Sequence, residues 1–361
     1  MAKKRIIVKI GSSSLTNDKG VIDLEKFQDH IQAVAALRKQ GHEVLLVSSG
    51  AVAAGFAGLG YPSRPITLKG KQAAAAVGQS LLIQSYTEQF REYGIVPAQI
   101  LLTRSDFSNR DRYKNAYATL MELLERRILP IINENDTVSV EELTFGDNDM
   151  LSALVSGLIH ADQLIILTDI NGLYNADPRV NPAAVKLDRL EEITEEMLRG
   201  AEGSGSKVGT GGMKSKLIAA KTALSLGVPV FIGKGSGPEK LINIIDGNGD
   251  GTYIGHNELG SINTSRQWIA FHSEPAGKLY IDEGAEKAVL FNGRSLLPTG
   301  VYEVKGTFLK GDVVEVFGHK GLLGKGEVTC SSDELKQFIM RKELSKVPSV
   351  EVIHRDKWVK I

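Results

Sequence analysis

From the N-terminus to about position 245, short apolar runs rich in β-branched residues alternate with longer stretches in which apolar positions recur at helical period. The runs at 6–10, 44–47, 96–102, 129–132, 164–167 and 228–232 predict strands. Each is apolar nearly throughout, as strands covered on both faces of a parallel sheet should be. Helices are predicted over 24–39, 69–93, 115–126, 149–160 and 213–226. Strands and helices in strict alternation point to an α/β fold with crossover units on a mainly parallel sheet. The texture changes at Asp246-Gly247-Asn248-Gly249-Asp250-Gly251, a run of turn formers that reads as a loop or linker, so a boundary is expected within 246–267. Beyond Trp268 the segments are short and alternating. They are punctuated by Asn292-Gly293, Pro298-Thr299-Gly300, Lys310-Gly311-Asp312 and Gly318-His319-Lys320-Gly321, the texture of a small β-rich module or barrel.

At 361 residues the chain exceeds one typical domain, which fits this division. Lys+Arg and Asp+Glu balance at 43 each, so no global field draws the protein to nucleic acid or an anionic membrane, and a charged ligand must be met by a local site. The single cysteine, Cys330, rules out an internal disulfide, and the seven histidines lack the spacing of a zinc site. A reducing compartment, the cytoplasm, is expected. The basic start Lys3-Lys4-Arg5 runs into an apolar stretch too short for a signal peptide, and no segment reaches the roughly 20 apolar residues needed to span a bilayer.

In an open α/β sheet ligands bind beyond the carboxyl ends of the strands. The residues there are uniform in kind. They are Lys9-Ile10-Gly11-Ser12-Ser13-Ser14, then Ser48-Ser49-Gly50-Ala51, then Asn133-Glu134-Asn135-Asp136, with Gly146-Asp147-Asn148-Asp149 opening a helix. Thr168-Asp169 follows the run at 164–167, and Gly209-Thr210-Gly211-Gly212-Met213-Lys214-Ser215-Lys216 opens the next helix. Small residues and glycines at helix starts expose N–H groups at the positive end of the helix dipole, which suits phosphate. Lys9 interrupts an apolar strand, and two readings stand for it: a side chain that snorkels to the strand end, or a functional cation. Asp149 likewise reads either as an ordinary acid in a helix first turn or as the organiser of Lys9 and Lys216. Familiar nucleotide signatures fail: Gly227 to Gly233-Lys234-Gly235 has the wrong spacing and ending for a Walker A loop, and there is no protein-kinase HRD or DFG set.

This polar set suits phosphoryl transfer to a carboxylate. Nucleophile and triphosphate are both anionic, so catalysis is positioning plus charge neutralisation by lysines and a divalent ion. A carboxylate with a reference pKa of about 4.3 is already ionised at neutral pH and needs no general base, which accounts for the lack of an obvious catalytic histidine. Asp136, among the amides of Asn133, Asn135 and Asn148, is placed to receive an ammonium group.

Together these motifs closely resemble the glutamate 5-kinases of the amino acid kinase fold, and the resemblance spans the whole chain. The stretches 293–300 and 308–316 resemble a PUA domain. The resemblance implies a three-layer sandwich around a mainly parallel sheet over 1–255, a linker over 256–267 and a small β-rich PUA-like barrel over 268–350. By the same resemblance Lys9, Asp149 and Lys216 are catalytic. Ser49, Gly50, Asn133, Asp136, Asp147 and Asn148 bind glutamate. Lys9, Gly11, Thr168, Asp169, Thr210, Gly211, Gly212, Met213, Lys214, Ser215 and Lys216 bind ATP. The implied reaction uses ATP with Mg2+ to form L-glutamyl 5-phosphate, the first step of proline biosynthesis, with proline as feedback inhibitor and a dimer or tetramer as the working form. No residue is assigned as a direct ligand of the metal.

Two alternatives stay open at this stage. PUA domains commonly bind RNA, but Lys305, Lys310, Lys320 and Lys325 are interspersed with Glu303, Asp312, Glu315 and Glu327 and form no dense basic stripe, so RNA binding is not read as the main function. The acceptor could instead be aspartate or acetylglutamate; carbamate, aspartate, acetylglutamate and UMP kinases share the fold and the lysines, but not the loops at 133–136 and 146–149.

Overall fold

The computed structural model describes residues 2–15, 17, 22–139, 148–176, 181, 183–201, 212–255, 264–340 and 351–360. The chain forms two compact units: 1–106 with 112–261, and 107–111 with 262–361.

The first unit is built on strands β1 (Arg5–Ile10), β2 (Glu43–Ser48), β3 (Pro97–Leu102), β4 (Leu129–Glu134), β5 (Gln163–Leu167), β6 (Arg189–Leu190), β7 (Val230–Gly233) and β8 (Gly251–Ile254). They lie in the order β3-β4-β2-β1-β5-β7-β8-β6, all parallel to their neighbours except the antiparallel pair β7/β8. The central strands are buried almost end to end, as their unbroken apolar runs require. At the sheet edge β3 departs from that expectation. Its residues are mostly half-buried, Gln99 is exposed, and the strand opens on a proline, which an edge tolerates.

Helices α1 (Leu24–Lys39), α2 (Ala51–Gly55), α3 (Leu68–Arg91), α4 (Arg110–Glu125), α5 (Asn148–Leu158), α6 (Met213–Ser225) and α7 (Lys240–Ile245) supply the crossovers. Asp23 caps α1 by accepting from the Lys26 N–H, and Thr67 caps α3 by accepting from the Gly70 N–H. Beyond α5 the chain turns at His160, held in the left-handed region at φ 52°. One face of the sheet packs Ile6, Val8 and Ile10 against Phe27 and Ile31 of α1, Tyr86 and Phe90 of α3, and Leu241 and Ile244 of α7. The alternation of a strand sends Lys9 to the other face, where α5 and α6 pack. These are the three layers expected of the fold.

Helix α2 meets α3 at backbone distance. A Cβ on Gly55 would lie 1.9 Å from the Ala74 carbonyl oxygen, and one on Gly78 would lie 1.8 Å from that of Ala51. Only glycine permits this approach, which brings the Ser49-Gly50 turn alongside Gln79 of α3.

The turn-rich run at 246–251, read as a loop or linker, is a loop within the first unit that leads straight into β8, paired with β7, and the two units divide at 261/262, inside the expected 246–267. The expected linker 256–267 ends in helix, Thr264–Gln267, which belongs to the second unit; residues 256–263 lie outside the described residues. Helix α4 starts at Arg110 rather than at 115, with Asp111 as the acid of its first turn.

In the second unit β9 (Gly277–Ile281), β10 (Val301–Gly306), β11 (Val313–Gly318), β12 (Gly321–Val328) and β13 (Ile353–Lys360) make a mixed five-stranded sheet in the order β10-β9-β11-β12-β13. Leu279, Val301, Phe308, Val316 and Leu335 form its own core. No described helix is long and apolar enough to cross a membrane.

Candidate active site

Beyond the carboxyl ends of β1, β2, β4 and β5, the structure brings together side chains that are far apart in sequence. Asp149, in the first turn of α5, is fully buried. Its Oδ1 lies 2.5 Å from Lys9 Nζ and its Oδ2 lies 3.1 Å from Lys216 Nζ, with both lysines less than a tenth exposed. Lys9 therefore does not snorkel to solvent. Its ammonium is compensated inside the protein, where an unpaired charge would be prohibitive. Ser215 donates to the Gly212 carbonyl at 2.8 Å and lies 3.4 Å from Asp149 Oδ2, which ties the start of α6 to the same carboxylate. Gly212, extended at the N-cap of α6, leads into Met213 and Lys214, both half-buried.

A second group surrounds Asn148. Its Nδ2 lies 2.8 Å from the Ser48 carbonyl, 2.9 Å from Ser49 Oγ and 2.8 Å from Asn133 Oδ1. The carbonyl can only accept, so this end of the amide is the donor and its two hydrogens serve three acceptors. Asn148 Oδ1 is then buried without a hydrogen-bond partner among the described residues. Asn133, at 1% exposure, donates to Gln79 Oε1 at 2.7 Å and accepts from the Glu134 N–H at 2.9 Å, which locks its amide. Gly50 starts α2 in the left-handed region at φ 103°, a conformation that favours glycine and turns Ser49 toward Asn148. Asp136 lies half-buried in the turn after β4.

Gly11 starts a single turn, Ser12–Ser14, beyond β1. Thr168, beyond β5, bonds through its N–H to the Gly233 carbonyl at 3.0 Å and through its hydroxyl to Asp169 at 3.0 Å. Asp147, Thr210 and Gly211 lie outside the described residues.

Sequence reasoning missed two supports. Gln79 fixes Asn133, and the Tyr86 hydroxyl lies 2.9 Å from Ser48 Oγ beside the Asn148 bond. Burial pushes the Tyr86 phenol up, so it stays a neutral hydrogen-bonding group. The signal for Gln79 is a lone amide in the otherwise apolar stripe Ala75, Leu82, Tyr86, Phe90 on the buried face of α3.

The model of the Amino acid kinase family matches residues 4–234, and that of the PUA domain matches residues 277–350. The chain is 65% identical over 363 aligned positions to glutamate 5-kinase 1 of Bacillus licheniformis and 64% identical over the same length to glutamate 5-kinase 1 of Bacillus subtilis; each alignment covers 100% of both chains. Among solved structures, the UMP kinase from Bacillus anthracis superposes with a TM-score of 0.50 at 14% identity, covering 70% of this chain and 96% of its own, which bears on the fold alone. The chain therefore belongs to the amino acid kinase family, in its glutamate 5-kinase branch.

Proposed function

We propose that the protein transfers the γ-phosphoryl group of ATP to the side-chain carboxylate of L-glutamate, giving L-glutamyl 5-phosphate and ADP as the first step of proline biosynthesis. One observation carries this reading: two buried lysines from distant parts of the chain converge on one carboxylate at the carboxyl end of the sheet. A glutamate carboxylate oxygen attacks the γ-phosphorus, the bond from that phosphorus to the β-bridging oxygen breaks, and ADP leaves with the electron pair. No proton moves. Lys9 and Lys216 offset the charge on the transferring group, and Asp149 holds them in place as an orienting residue.

Glutamate binds between the Ser49-Gly50 turn and the loop carrying Asp136, with Asp147 as a further binding residue. Asn148 Oδ1, which has no hydrogen-bond partner among the described residues, suits an ammonium donor, Asp136 adds the opposite charge, and Asn133 keeps Asn148 oriented. ATP takes the segment Thr210–Lys216, where the start of α6 offers backbone N–H groups, together with Gly11, Thr168 and Asp169. Among the described residues no cluster of His, Cys, Asp or Glu is arranged as a metal cage. Mg2+ in this reading travels on the triphosphate, whose hard oxygens are its preferred ligands. The protein works in the cytoplasm as a homo-oligomer and is inhibited by proline.

Trapping the acyl phosphate with hydroxylamine tests the reading, with glutamate, aspartate and N-acetylglutamate compared side by side and proline present or absent. Hydroxamate is expected from glutamate alone and should fall when proline is added. Equal product from aspartate or acetylglutamate would reassign the acceptor, and insensitivity to proline would remove the feedback.

A further inference from the structure

On the face of the sheet opposite Lys9, a second cluster, with Lys240 and His30 buried and Asp29 partly exposed, joins α1 to α7. Lys240 opens α7 with its side chain 2% exposed. Its ammonium pairs with Asp29 Oδ2 and lies 3.0 Å from His30 Nδ1. The His30 ring also hydrogen-bonds the Ser14 backbone. The other oxygen of Asp29 accepts the Gly237 N–H at 2.6 Å. A continuous chain of polar contacts thus runs from Ser14 through His30, Lys240 and Asp29 to Gly237.

The two ends of this chain lie in loops that flank the tip of β5. Ser14 ends the turn that Gly11 begins beyond β1, closed by its own N–H on the Gly11 carbonyl at 3.1 Å. Gly237, at φ 81°, lies in the loop beyond β7, and that strand's last residue, Gly233, accepts the Thr168 N–H. In the same loop a Cβ on Gly235 would lie 3.0 Å from Lys240 Cβ, so the loop rests on the lysine stem. β1 and β7 are the two neighbours of β5 in the sheet.

We propose that Asp29, His30 and Lys240 form a brace that fixes the loop beyond β1 against the loop beyond β7 and thereby positions the ATP triphosphate. The inference rests on the ATP reading of Gly11 and Thr168. Its physical ground is directionality: an ion pair with a ring between two loops holds one geometry, whereas apolar side chains of equal volume would let the loops slide. Burial, reinforced by the Lys240 ammonium, lowers the His30 pKa to about 4, so the ring is neutral at pH 7 and Nδ1 accepts from the lysine while the other nitrogen donates to Ser14. Burial works against ionising Asp29, yet Lys240 and the Gly237 N–H outweigh it and hold that carboxyl below its usual range. These three are positioning residues; none of them is assigned to the substrates.

The test uses the full-length protein, calorimetric binding of the non-hydrolysable analogue AMP-PNP with Mg2+, and steady-state kinetics. His30→Phe and Lys240→Met keep the volume and remove the contacts. Each should weaken AMP-PNP binding and raise KM for ATP by about tenfold, because small misplacements of reacting groups are costly, while KM for glutamate stays put. His30→Gln, which can accept and donate at once, should recover most of the loss. Folded variants that bind AMP-PNP as the parent does, or that lose glutamate affinity equally, overturn the brace. If both variants fail to fold, Asp29→Asn takes their place, since Asp29 is partly solvated, and the same binding shift decides. A parent that neither binds AMP-PNP nor makes the acyl phosphate sinks the kinase reading instead, so the two failures are distinguishable.

Discussion

Lys9, Asp149 and Lys216 set two ammonium groups on one carboxylate, whereas Asp29, His30 and Lys240 set one ammonium against one carboxylate with a neutral ring beside them. Both clusters lie near the carboxyl ends of neighbouring strands and on opposite faces of one sheet; every member but the partly solvated Asp29 is buried. The difference lies in what each can still do. A pair of lysines gathered on a shared carboxylate is built to receive an anion, and its counter-charge holds the two cations close until the anion arrives. A balanced trio is closed, and what it can supply is geometry. Burial of charge therefore does not by itself mark a catalytic site; which loops the cluster touches separates the two uses.

The comparison breaks most readily at kcat. Lys9→Ala and Lys216→Ala should each lower kcat by about 10²–10³, the scale for removing one group that stabilises charge developing in the transition state. Lys240→Met should act mainly on KM for ATP. Hydroxamate formation at saturating ATP and glutamate reads the difference directly. A Lys240 variant as damaged in kcat as the Lys9 variant would erase the distinction, and near-normal kcat in either of the first two would remove that lysine from the catalytic set.

The closed cluster carries its own signature in acid. His30 has a folded pKa of about 4, set chiefly by burial and then by Lys240, against a reference value of 6.5. Between those values the unfolded chain binds the proton more readily, so stability must fall as pH drops from about 6.5 toward 4 and level off outside that window. The full contribution is on the order of 3 kcal/mol at about 1.4 kcal/mol per pKa unit. His272, buried in the second unit with a pKa likewise lowered to about 4, adds its own acid loss, so the informative quantity is the difference between parent and His30→Phe. Denaturant melts across that window should find the variant less stable near pH 7 and the two curves converging as pH falls. Parallel curves would show that the His30 proton is not linked to folding.

Much of this arrangement is written locally in the chain. The central strands announce themselves as unbroken apolar runs, and a lysine inside the first of them is conspicuous because the strand has no other polar residue between Ile6 and Ile10. Asp149 is visible as an acid at a helix start, although the sequence leaves open whether it serves the helix or the lysines; full burial between two ammonium groups gives it the second task as well as the first. Other features are legible only in three dimensions. Strand β8 is four residues behind a run of turn formers, and its strand character comes from pairing with β7. The Gln79 bond to Asn133 spans 54 positions and the Lys240 contact with His30 spans 210, so no spacing rule reaches them. His30 sits in an amphipathic helix where a buried histidine reads as ordinary core, and nothing near it in sequence names its partner.

The smallest expected effects sharpen the comparison inside the lysine face itself, by separating its proposed glutamate half from its proposed phosphate half. Asn148 touches Ser48, Ser49 and Asn133, and it precedes Asp149 in the same helix turn. Asn148→Ala removes the donor that holds Ser49 Oγ and Asn133 Oδ1 and the acceptor Oδ1 that suits the substrate ammonium. KM for glutamate should rise about tenfold, the worth of one to two hydrogen bonds to a charged group, with KM for ATP unchanged. Asp136→Asn should act in the same direction, because it removes charge opposite the ammonium and leaves the shape of the turn. Measuring both constants for both variants decides the matter. Should KM for ATP climb in step with that for glutamate, the amide group and the lysine group form one coupled site, and the division drawn between them would have to be withdrawn.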